Sequence, residues 1–438
     1  GLFLANAPLA LAKSAANIVV MDFDLSAQPT AEEVELWLPY PVSSAVQDIT
    51  GMNVSGDFVE SALYADKQNQ TPMLYARWAK GAESRRLTMS FKAERQEVIR
   101  RDFPAREPEL DRGALASWLA PTSLGPIDGV VGDLAAKITE GKTTVQAKAK
   151  AIYDWVCENM YREPNTIGCG KGDVCALLQT PGGKCTDINS VFIALCRAAG
   201  VPAREIFGIR LGKKNVQDIS GWQHCWAEFY LPGYGWVPVD PADVRKLMLK
   251  GNLTLEDPKT AELRDYFWGG WDAWRFELAR GRDLRLNPPQ KGGALNTFGY
   301  PYAEVGGRPL DFYDSATFKY TITSYTMTAD GFALIDTDGL KSWLDRGVEA
   351  AVFDARNPEE YQEVHIRGAE SLPEKKFDEN IPLLPIDKSQ PIIFYCNGVK
   401  CGKSKKAAKK VIAMGYSNVL VYAEGMPVWE EKGLPIYA

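Results

Sequence analysis

The chain contains the stretch Gly182-Gly183-Lys184-Cys185-Thr186-Asp187-Ile188-Asn189-Ser190, which continues into an apolar segment ending at Gly200. Apolar residues recur there at helical spacing, namely Ile188, Val191, Phe192, Leu195 and Ala199. Gly200 and Pro202 predict the end of the helix. Cys185 is therefore expected at the N-terminal edge of a largely buried helix, where free amides and the helix dipole favour a thiolate. On spacing alone, the cysteine fits a packing role as well as a nucleophilic one.

The composition is that of an ordinary globular chain with several domains. The 438 residues are 45% hydrophobic and 24% charged, and the net charge is −6 with both signs mixed. The absence of a basic stripe argues against nucleic acid as the main partner. No apolar run reaches the ~18 residues of a membrane-spanning helix. We therefore expect neither nucleic-acid binding nor stable membrane insertion.

Residues 1–16 are typical either of the end of a signal peptide or of an ordinary N-terminal segment. Ala10-Leu11-Ala12 has the small-residue pattern of a cleavage site. We therefore expect a protein of the bacterial periplasm, or a secreted one.

The cysteine content excludes a disulfide scaffold, because eight cysteines are few for a chain of this length. In an oxidising compartment Cys169 and Cys175 could pair within their glycine-rich loop. Cys225 follows a histidine on a predicted strand, so its side chain is expected on the opposite face, as a core residue.

The order of patterns predicts a multidomain α+β protein. Short alternating runs separated by turn residues over 17–112 predict an N-terminal β-sandwich. An α+β core follows over 113–245, and an aromatic-rich β extension over 246–330. Over 335–438, helices alternate with short apolar strands, which is typical of an α/β unit with parallel strands.

The scarcity of histidine narrows the choice of a partner for Cys185. The chain has two histidines, His224 and His365, and His224 alone lies in the same predicted domain. The strand carrying His224 turns at Leu231–Gly235 and returns as a strand ending at Asp240. A thiolate–imidazolium pair needs an acceptor on the second ring nitrogen, and Asp240 is within reach across this hairpin. Taken singly, His224 could equally be a core histidine, and Asp240 a turn residue.

These residues, in this order, resemble the transglutaminase-like superfamily with its papain-like Cys-His-Asp core. The matching segments within 113–245 are Gly183-Lys184-Cys185-Thr186-Asp187, Ala198-Ala199-Gly200-Val201-Pro202-Ala203-Arg204, His224-Cys225-Trp226-Ala227-Glu228 and Gly235-Trp236-Val237-Pro238-Val239-Asp240-Pro241. The resemblance implies acyl transfer or hydrolysis on a peptide or protein substrate through a thioester on Cys185, with no metal or other cofactor. Asp187 fits a helix cap better than a reagent. By analogy with papain-like enzymes, Gln179 is a candidate oxyanion donor.

A second cysteine follows an apolar strand of the C-terminal unit. The segment Cys396-Asn397-Gly398-Val399-Lys400-Cys401-Gly402 joins this strand to a helix. Such a loop directs backbone N–H groups at an anion, so a thiolate or persulfide at Cys396 would be stabilised there.

This loop resembles that of the rhodanese-like sulfurtransferase family. The other matching segments over 335–438 are Asp354-Ala355-Arg356, Glu360-Tyr361, His365-Ile366-Arg367-Gly368-Ala369 and Gly425-Met426-Pro427-Val428-Trp429. The resemblance implies a persulfide on Cys396 and a small anionic sulfur donor. Cys401 could resolve the persulfide or form a disulfide with Cys396, and His365 is a structural residue in this pattern.

Three functions follow from these patterns. The first is cysteine-dependent acyl transfer or hydrolysis by Cys185, His224 and Asp240, with hydrolysis favoured over cross-linking because water is always present. The second is a persulfide sulfurtransferase that uses the first domain as a scaffold. The third is a non-catalytic periplasmic binding protein that keeps both folds. We expect an enzyme of the first kind.

Overall fold

The computed structural model describes residues 14–437. Most of the predicted signal-peptide remnant over 1–16 therefore lies outside the described residues, and its last part begins the first strand at Ser14. Within 14–437, no helix combines the length and the apolar character that a bilayer crossing requires.

Strands dominate the first part of the chain, and helices gather in the middle. The first strands are β1 (Ser14–Asp24), β2 (Val34–Pro39), β3 (Gln47–Gly56), β4 (Glu60–Ala65), β5 (Pro72–Trp78), β6 (Arg86–Gln96) and β7 (Val98–Ile99). The middle contains α1 (Gly129–Ile138), α2 (Val145–Asn159), β8 (Tyr161–Arg162), α3 (Val174–Gln179), β9 (Gly182–Gly183), α4 (Cys185–Ala198), β10 (Ala203–Arg210), β11 (Val216–Asp218), β12 (Gln223–Leu231), β13 (Gly235–Val239), α5 (Pro241–Gly251) and α6 (Pro258–Phe267).

A second group of strands leads to the C-terminal unit. These strands are β14 (Gly270–Trp271), β15 (Arg275–Arg280), β16 (Tyr302–Val305), β17 (Arg308–Pro309) and β18 (Lys319–Thr326). The unit then contains β19 (Ala333–Ile335), α7 (Thr337–Arg346), β20 (Ala351–Asp354), α8 (Pro358–Glu363), β21 (His365–Ile366), β22 (Glu370–Ser371), β23 (Ile392–Tyr395), α9 (Lys403–Ala413), β24 (Val419–Tyr422), α10 (Gly425–Glu431) and β25 (Ile436–Tyr437).

Two five-stranded antiparallel sheets form the β part of the molecule, with the orders β11-β18-β1-β6-β3 and β17-β16-β2-β5-β4. Apolar side chains of both sheets, among them Phe23, Trp78 and Phe91, form one buried cluster. The sheets join two segments that the sequence analysis treats separately, because β18 pairs with β1 and β16 with β2. The strands of 17–112 therefore form no complete sandwich by themselves. Alternation identifies a strand but carries no information about its partner.

Helix α4 is the central element of the middle unit. Its residues from Cys185 to Arg197 are all buried, as the apolar spacing predicts for most of them. The helix packs against β12 of the antiparallel sheet β13-β12-β10-β15. The chain reaches this helix through a tight passage at Gly183, where an added Cβ would lie 2.4 Å from the Asp187 Cβ. Only glycine fits there, which explains the glycine pair before Cys185.

The C-terminal unit is built on the parallel sheet β19-β24-β23-β20-β22, and the predicted parallel strands are confirmed. This unit shares a buried cluster with Ile18 of the first sheet. Trp343 Nε1 donates to Tyr325 OH at 2.8 Å, and Arg346 Nη1 donates to Asp22 Oδ2 at 2.5 Å. These contacts fix the C-terminal unit to the first sheet.

Candidate active site

Three elements bring Cys185, His224 and Asp240 together. Cys185 is the first residue of α4, His224 lies in β12, and Asp240 is the N-cap of α5 directly after β13. His224 Nε2 donates to Asp240 Oδ2 at 2.7 Å. Cys185 and His224 line the same cleft, and the imidazole helps to lower the pKa of the Cys185 thiol. Because Asp240 occupies Nε2, Nδ1 is the ring nitrogen left to interact with the sulfur.

Two further sulfur atoms surround Cys185. The sulfurs of Cys169, Cys185 and Cys225 lie within 4.8 Å of one another, and all three residues are buried. Tyr300 OH donates to Cys169 Sγ at 3.3 Å. Cys225 Sγ lies 3.0 Å from Thr186 Oγ1 in the first turn of α4. Cys185 is thus in contact with two other thiols as well as with an imidazole.

This cluster corrects two expectations. The structure does not pair Cys169 with Cys175: all eight cysteines, each within the described residues, are free thiols. The glycine-rich loop instead folds over the start of α4, where Thr186 N donates to Cys169 O at 2.9 Å. The expectation that Cys225 points away from the site is also wrong, because the first turn of α4 packs against β12 at that residue.

The pKa values of the three thiols shift in different directions. Hydrogen bonds from Cys169 and Cys225 hold the pKa of Cys185 well below its usual value; burial opposes them and His224 supports them. The pKa of Cys169 is raised, first by its hydrogen bond to Cys185, and burial raises the pKa of Cys225. Both neighbours therefore keep their protons more readily than Cys185 does, and Cys169 Sγ donates to Gln223 O at 3.3 Å. The helix N-terminus adds a local positive field at that position.

Asp240 belongs to a buried ion network. Arg275 donates from Nη1 to Asp240 Oδ2 at 2.6 Å and from Nη2 to Asp243 Oδ2 at 2.8 Å. Arg210 donates to Asp243 Oδ1 at 2.5 Å. Burial and Arg210 lower the pKa of His224, but Asp240 and Asp243 outweigh them, so the net pKa is raised. The network therefore favours an imidazolium beside the thiolate.

The start of α4 also offers a free amide. The first N–H groups of a helix have no intrahelical acceptor. Lys184 N donates to Asp187 Oδ2 at 3.0 Å, in agreement with a capping role for Asp187. The Cys185 N–H has no acceptor within residues 14–437. It can therefore donate to the oxygen of a carbonyl that the sulfur attacks.

The site opens into a cleft of about 790 Å³ that Cys185 and His224 line. Its aromatic lining consists of Trp222, Tyr300, Phe312, Tyr313, Phe318 and Tyr320. Gln179, the candidate oxyanion donor, is not among the lining residues; it is exposed at the end of α3. The role of Gln179 as an oxyanion donor therefore stays a prediction.

Two groups of side chains have the spacing of metal ligands. The sulfurs of Cys169, Cys185 and Cys225 form a set that suits a soft or borderline ion such as Zn²⁺. The donor atoms of His224, Asp240 and Asp243 also lie within 4.8 Å of one another. In the second group Arg275 already binds both carboxylates and would repel a cation.

The second predicted thiol lies at the end of β23. Cys396 is buried; its Sγ donates to Cys401 O at 3.4 Å and lies 3.2 Å from Ser404 Oγ. Burial, aided by the Cys401 thiol, raises the pKa of Cys396. Burial opposes ionisation of Cys401 as well, but bonds from Cys396 and from the N–H groups of Lys403 and Asn397 hold its pKa below the usual value. These pKa directions favour ionisation of Cys401 over that of Cys396, and the Cys396 thiolate stays a prediction.

The rest of this loop is open to solvent. Val399, Lys400 and Gly402 are exposed, and Gly398 adopts a φ of +101°. His365 stacks on Tyr361 with ring centroids 3.9 Å apart, and its Nδ1 lies 2.9 Å from Tyr361 O. These contacts are those of a structural histidine.

Sequence reasoning missed Arg275, Asp243 and the sulfur contacts of Cys169 and Cys225. Arg275 follows Asp240 by 35 positions and reaches it only because β15 joins the edge of the sheet. Asp243 lies three residues after Asp240, in the first turn of α5. This spacing was the one local indication that the two carboxylates lie side by side.

The pKa directions predict how the reactivity of Cys185 depends on pH. A lowered cysteine pKa keeps the thiolate present at pH values where an ordinary thiol, with a pKa of about 8.5, is protonated. Alkylation of Cys185 by iodoacetamide, followed by mass spectrometry, should stay nearly constant from about pH 6 to 8, while that of free cysteine falls steeply. In His224→Gln the pH profile of Cys185 alkylation should move to higher pH. A wild-type profile parallel to free cysteine would contradict the assignment.

Arg275→Met should destabilise the protein strongly, because it removes the buried guanidinium that two buried carboxylates, Asp240 and Asp243, share. Removing one partner of a buried ion pair costs roughly 3–5 kcal/mol. Arg280→Met in the same strand is the matched control, since Arg280 pairs with Glu277 at a partly exposed site, where such pairs contribute at most about 1 kcal/mol. Denaturant unfolding of both variants tests the difference, and equal losses would refute the importance of the network.

Two family models match the chain. The transglutaminase-like superfamily matches residues 132–241, and the rhodanese-like domain matches residues 336–432. These ranges contain the two thiol sites described above.

Similar proteins cover either most of the chain or its C-terminal unit. An uncharacterised protein of Haemophilus influenzae is 37% identical over 67% of this chain and 86% of its own length. The thiosulfate sulfurtransferase PspE of Escherichia coli is 37% identical over 15% of this chain and 62% of its own length. The crystal structure of a candidate cysteine protease from Cytophaga hutchinsonii is 18% identical, with a TM-score of 0.42 over 71% of this chain and 98% of its own. The chain belongs to the transglutaminase-like superfamily and carries a rhodanese-like domain after the transglutaminase-like core.

Proposed function

We propose that the chain is a cysteine-dependent enzyme that acts on amide bonds of peptide or protein substrates. In this proposal Cys185 is the nucleophile, His224 the general acid and base, and Asp240 the group that orients the imidazole. The observation that carries it is the hydrogen bond between His224 and Asp240 at a cleft of about 790 Å³ that both Cys185 and His224 line. The lowered pKa of Cys185 and the raised pKa of His224 supply the charged pair that such chemistry needs.

The proposed reaction proceeds in two halves. The Cys185 thiolate attacks the amide carbonyl, the carbonyl oxygen becomes an oxyanion, and the Cys185 N–H donates to it. The C–N bond then breaks, and the amine leaves with the proton of the His224 imidazolium. In the second half the neutral imidazole takes a proton from water, and the resulting hydroxide attacks the thioester. The C–S bond then breaks, the acid is released, and the thiolate–imidazolium pair is restored.

Hydrolysis is the proposed outcome, in preference to cross-linking. Water reaches the open cleft at all times, whereas an amine must bind before it can compete for the thioester. A carboxylate near the thioester would favour binding of a protonated amine, and no acidic residue lines the cleft within the described residues.

The triad variants test this proposal. Fluorescently labelled casein serves as a general amide substrate, and hydroxylamine traps the thioester as a hydroxamate. Cys185→Ala should lower the rate at least ~10³-fold, and Asp240→Asn by roughly 10²–10⁴-fold with the thiol still present. Cys175→Ala is the matched control and should leave the rate unchanged. Hydroxamate formation that survives in Cys185→Ala would refute the role of that residue.

A second activity is proposed for the rhodanese-like domain, favoured by the two adjacent thiols of its loop and by the similarity to PspE. Attack of the Cys396 sulfur on the outer sulfur of thiosulfate would break the S–S bond, release sulfite and leave a persulfide. Cyanide would then take the outer sulfur as thiocyanate and regenerate the thiolate.

Thiocyanate formation from thiosulfate and cyanide measures this second activity. Cys396→Ser should abolish it, while Cys185→Ala should leave it unchanged, because Cys185 belongs to the other site. Cys401→Ser identifies the sulfur that carries the persulfide. If the activity is lost in Cys401→Ser but retained in Cys396→Ser, Cys401 carries the persulfide and our assignment to Cys396 is wrong.

A further inference from the structure

The cleft beside Cys185 carries positive charge without negative charge. Its basic lining residues are Arg162, Lys184, Arg210, Lys246 and Lys250, and none of its lining residues is acidic. The chain as a whole has 56 acidic and 50 basic residues. An average region of its surface would therefore hold both signs, and the cleft is opposite in sign to the net charge of the chain.

Most of these cations are not neutralised by the protein. Arg210 is paired with Asp243 at 2.5 Å. Within the described residues the other four form no ion pair, since no carboxylate oxygen lies within 4.0 Å of their nitrogen atoms. Burial lowers the pKa of Lys246; Arg210, Lys250 and Arg162 add to this effect, while Asp243 opposes it. The cations are thus close enough to repel one another, and a bound anion would relieve that repulsion.

The unpaired cations are fixed to the elements that carry the site. Lys184 directly precedes Cys185, and Arg162 of β8 is the register partner of Gly183. Lys246 and Lys250 lie one turn apart on α5, the helix that Asp240 caps. Anionic groups bound here would therefore lie within a few residues of the amide that Cys185 attacks.

We propose that the cleft selects acidic peptides, whose carboxylates on either side of the attacked amide bind Arg162, Lys184, Lys246 and Lys250. This inference rests on the acyl-transfer function proposed above and names its substrate class. The aromatic lining packs against the apolar parts of the same peptide. A cleft of about 790 Å³ has the size of a small-ligand site, so it takes a short peptide segment.

Single-stranded nucleic acid is the competing occupant, because cations and aromatic rings also bind phosphates and bases. The peptide is favoured because the same cleft holds the thiolate and imidazole, whose chemistry needs an acyl group. A nucleic acid offers neither an amide nor an ester of a carboxylic acid along its backbone.

Binding to the full chain with Cys185→Ser tests the inference without turnover. The probe is a fluorescent hexapeptide of alternating Glu and Phe, and its counterpart has Gln in place of Glu. The acidic peptide should bind about tenfold more tightly at low salt, the factor that corresponds to roughly 1.4 kcal/mol, and the difference should shrink as salt is added. Lys246→Gln/Lys250→Gln should remove the preference. The matched control Lys137→Gln/Lys142→Gln, which changes two exposed lysines outside the cleft, should retain it.

Three results would overturn the inference: equal binding of the two peptides, a preference that survives in Lys246→Gln/Lys250→Gln, or tighter binding of oligo(dT) than of the acidic peptide. Alkylation of wild-type Cys185 by iodoacetamide tests the proposed acyl-transfer chemistry separately from the proposed preference for acidic peptides. Fast alkylation without acidic preference would refute the substrate class alone. Slow alkylation with acidic preference would refute the acyl-transfer chemistry and leave an acidic-peptide binding site.

Discussion

The buried guanidinium of Arg275 is the group on which the geometry of the site depends. It is shielded from solvent and binds Asp240 and Asp243 at the start of α5, while it is itself carried by β15. Two carboxylates buried side by side lose hydration and repel each other, and a guanidinium between them offsets both effects. The same contact fixes Asp240 Oδ2 at the place where His224 Nε2 reaches it. The orientation of the imidazole therefore follows from an ion pair formed by a distant strand.

From Arg275 outward, the charges of the site alternate in sign. A guanidinium is followed by two carboxylates, then by an imidazole with a raised pKa, then by a thiol with a lowered one. Each charge thus borders an opposite one, which lets several ionised groups share a dry environment. The thiols of Cys169 and Cys225 take no part in the alternation, since their raised pKa values keep them neutral. The cations of the cleft lie beyond the thiolate and extend this alternation of charge, and the carboxylates of an acidic ligand would extend it by one further step.

The parts of this arrangement that depend on local pattern could be predicted from the sequence. Helical spacing gave the start of α4 at Cys185, the shortage of histidine singled out His224, and the hairpin turn brought Asp240 into reach. The parts that depend on distant pairing could not be predicted. The sequence around Arg275 does not indicate that β15 pairs with β10. The sequence of 17–112 likewise does not indicate that β16 and β18 complete the two five-stranded sheets. The role of Gln179 stays a prediction, because this residue ends α3 and is not among those that line the cleft.

The two thiol sites obtain their charge by different means, and this bears on how they can act. In our proposal the imidazole accepts the proton of Cys185, and the ion network around Asp240 stabilises the resulting cation. Cys396 has no such partner: its raised pKa and the lowered pKa of Cys401 place the negative charge of that pair on Cys401. In the sulfurtransferase that we propose, the Cys396 thiol would lose its proton before it attacks, and Cys401 is the neighbouring group suited to accept it. The second cysteine would then serve Cys396 as histidine serves Cys185, and each site would have its own proton acceptor.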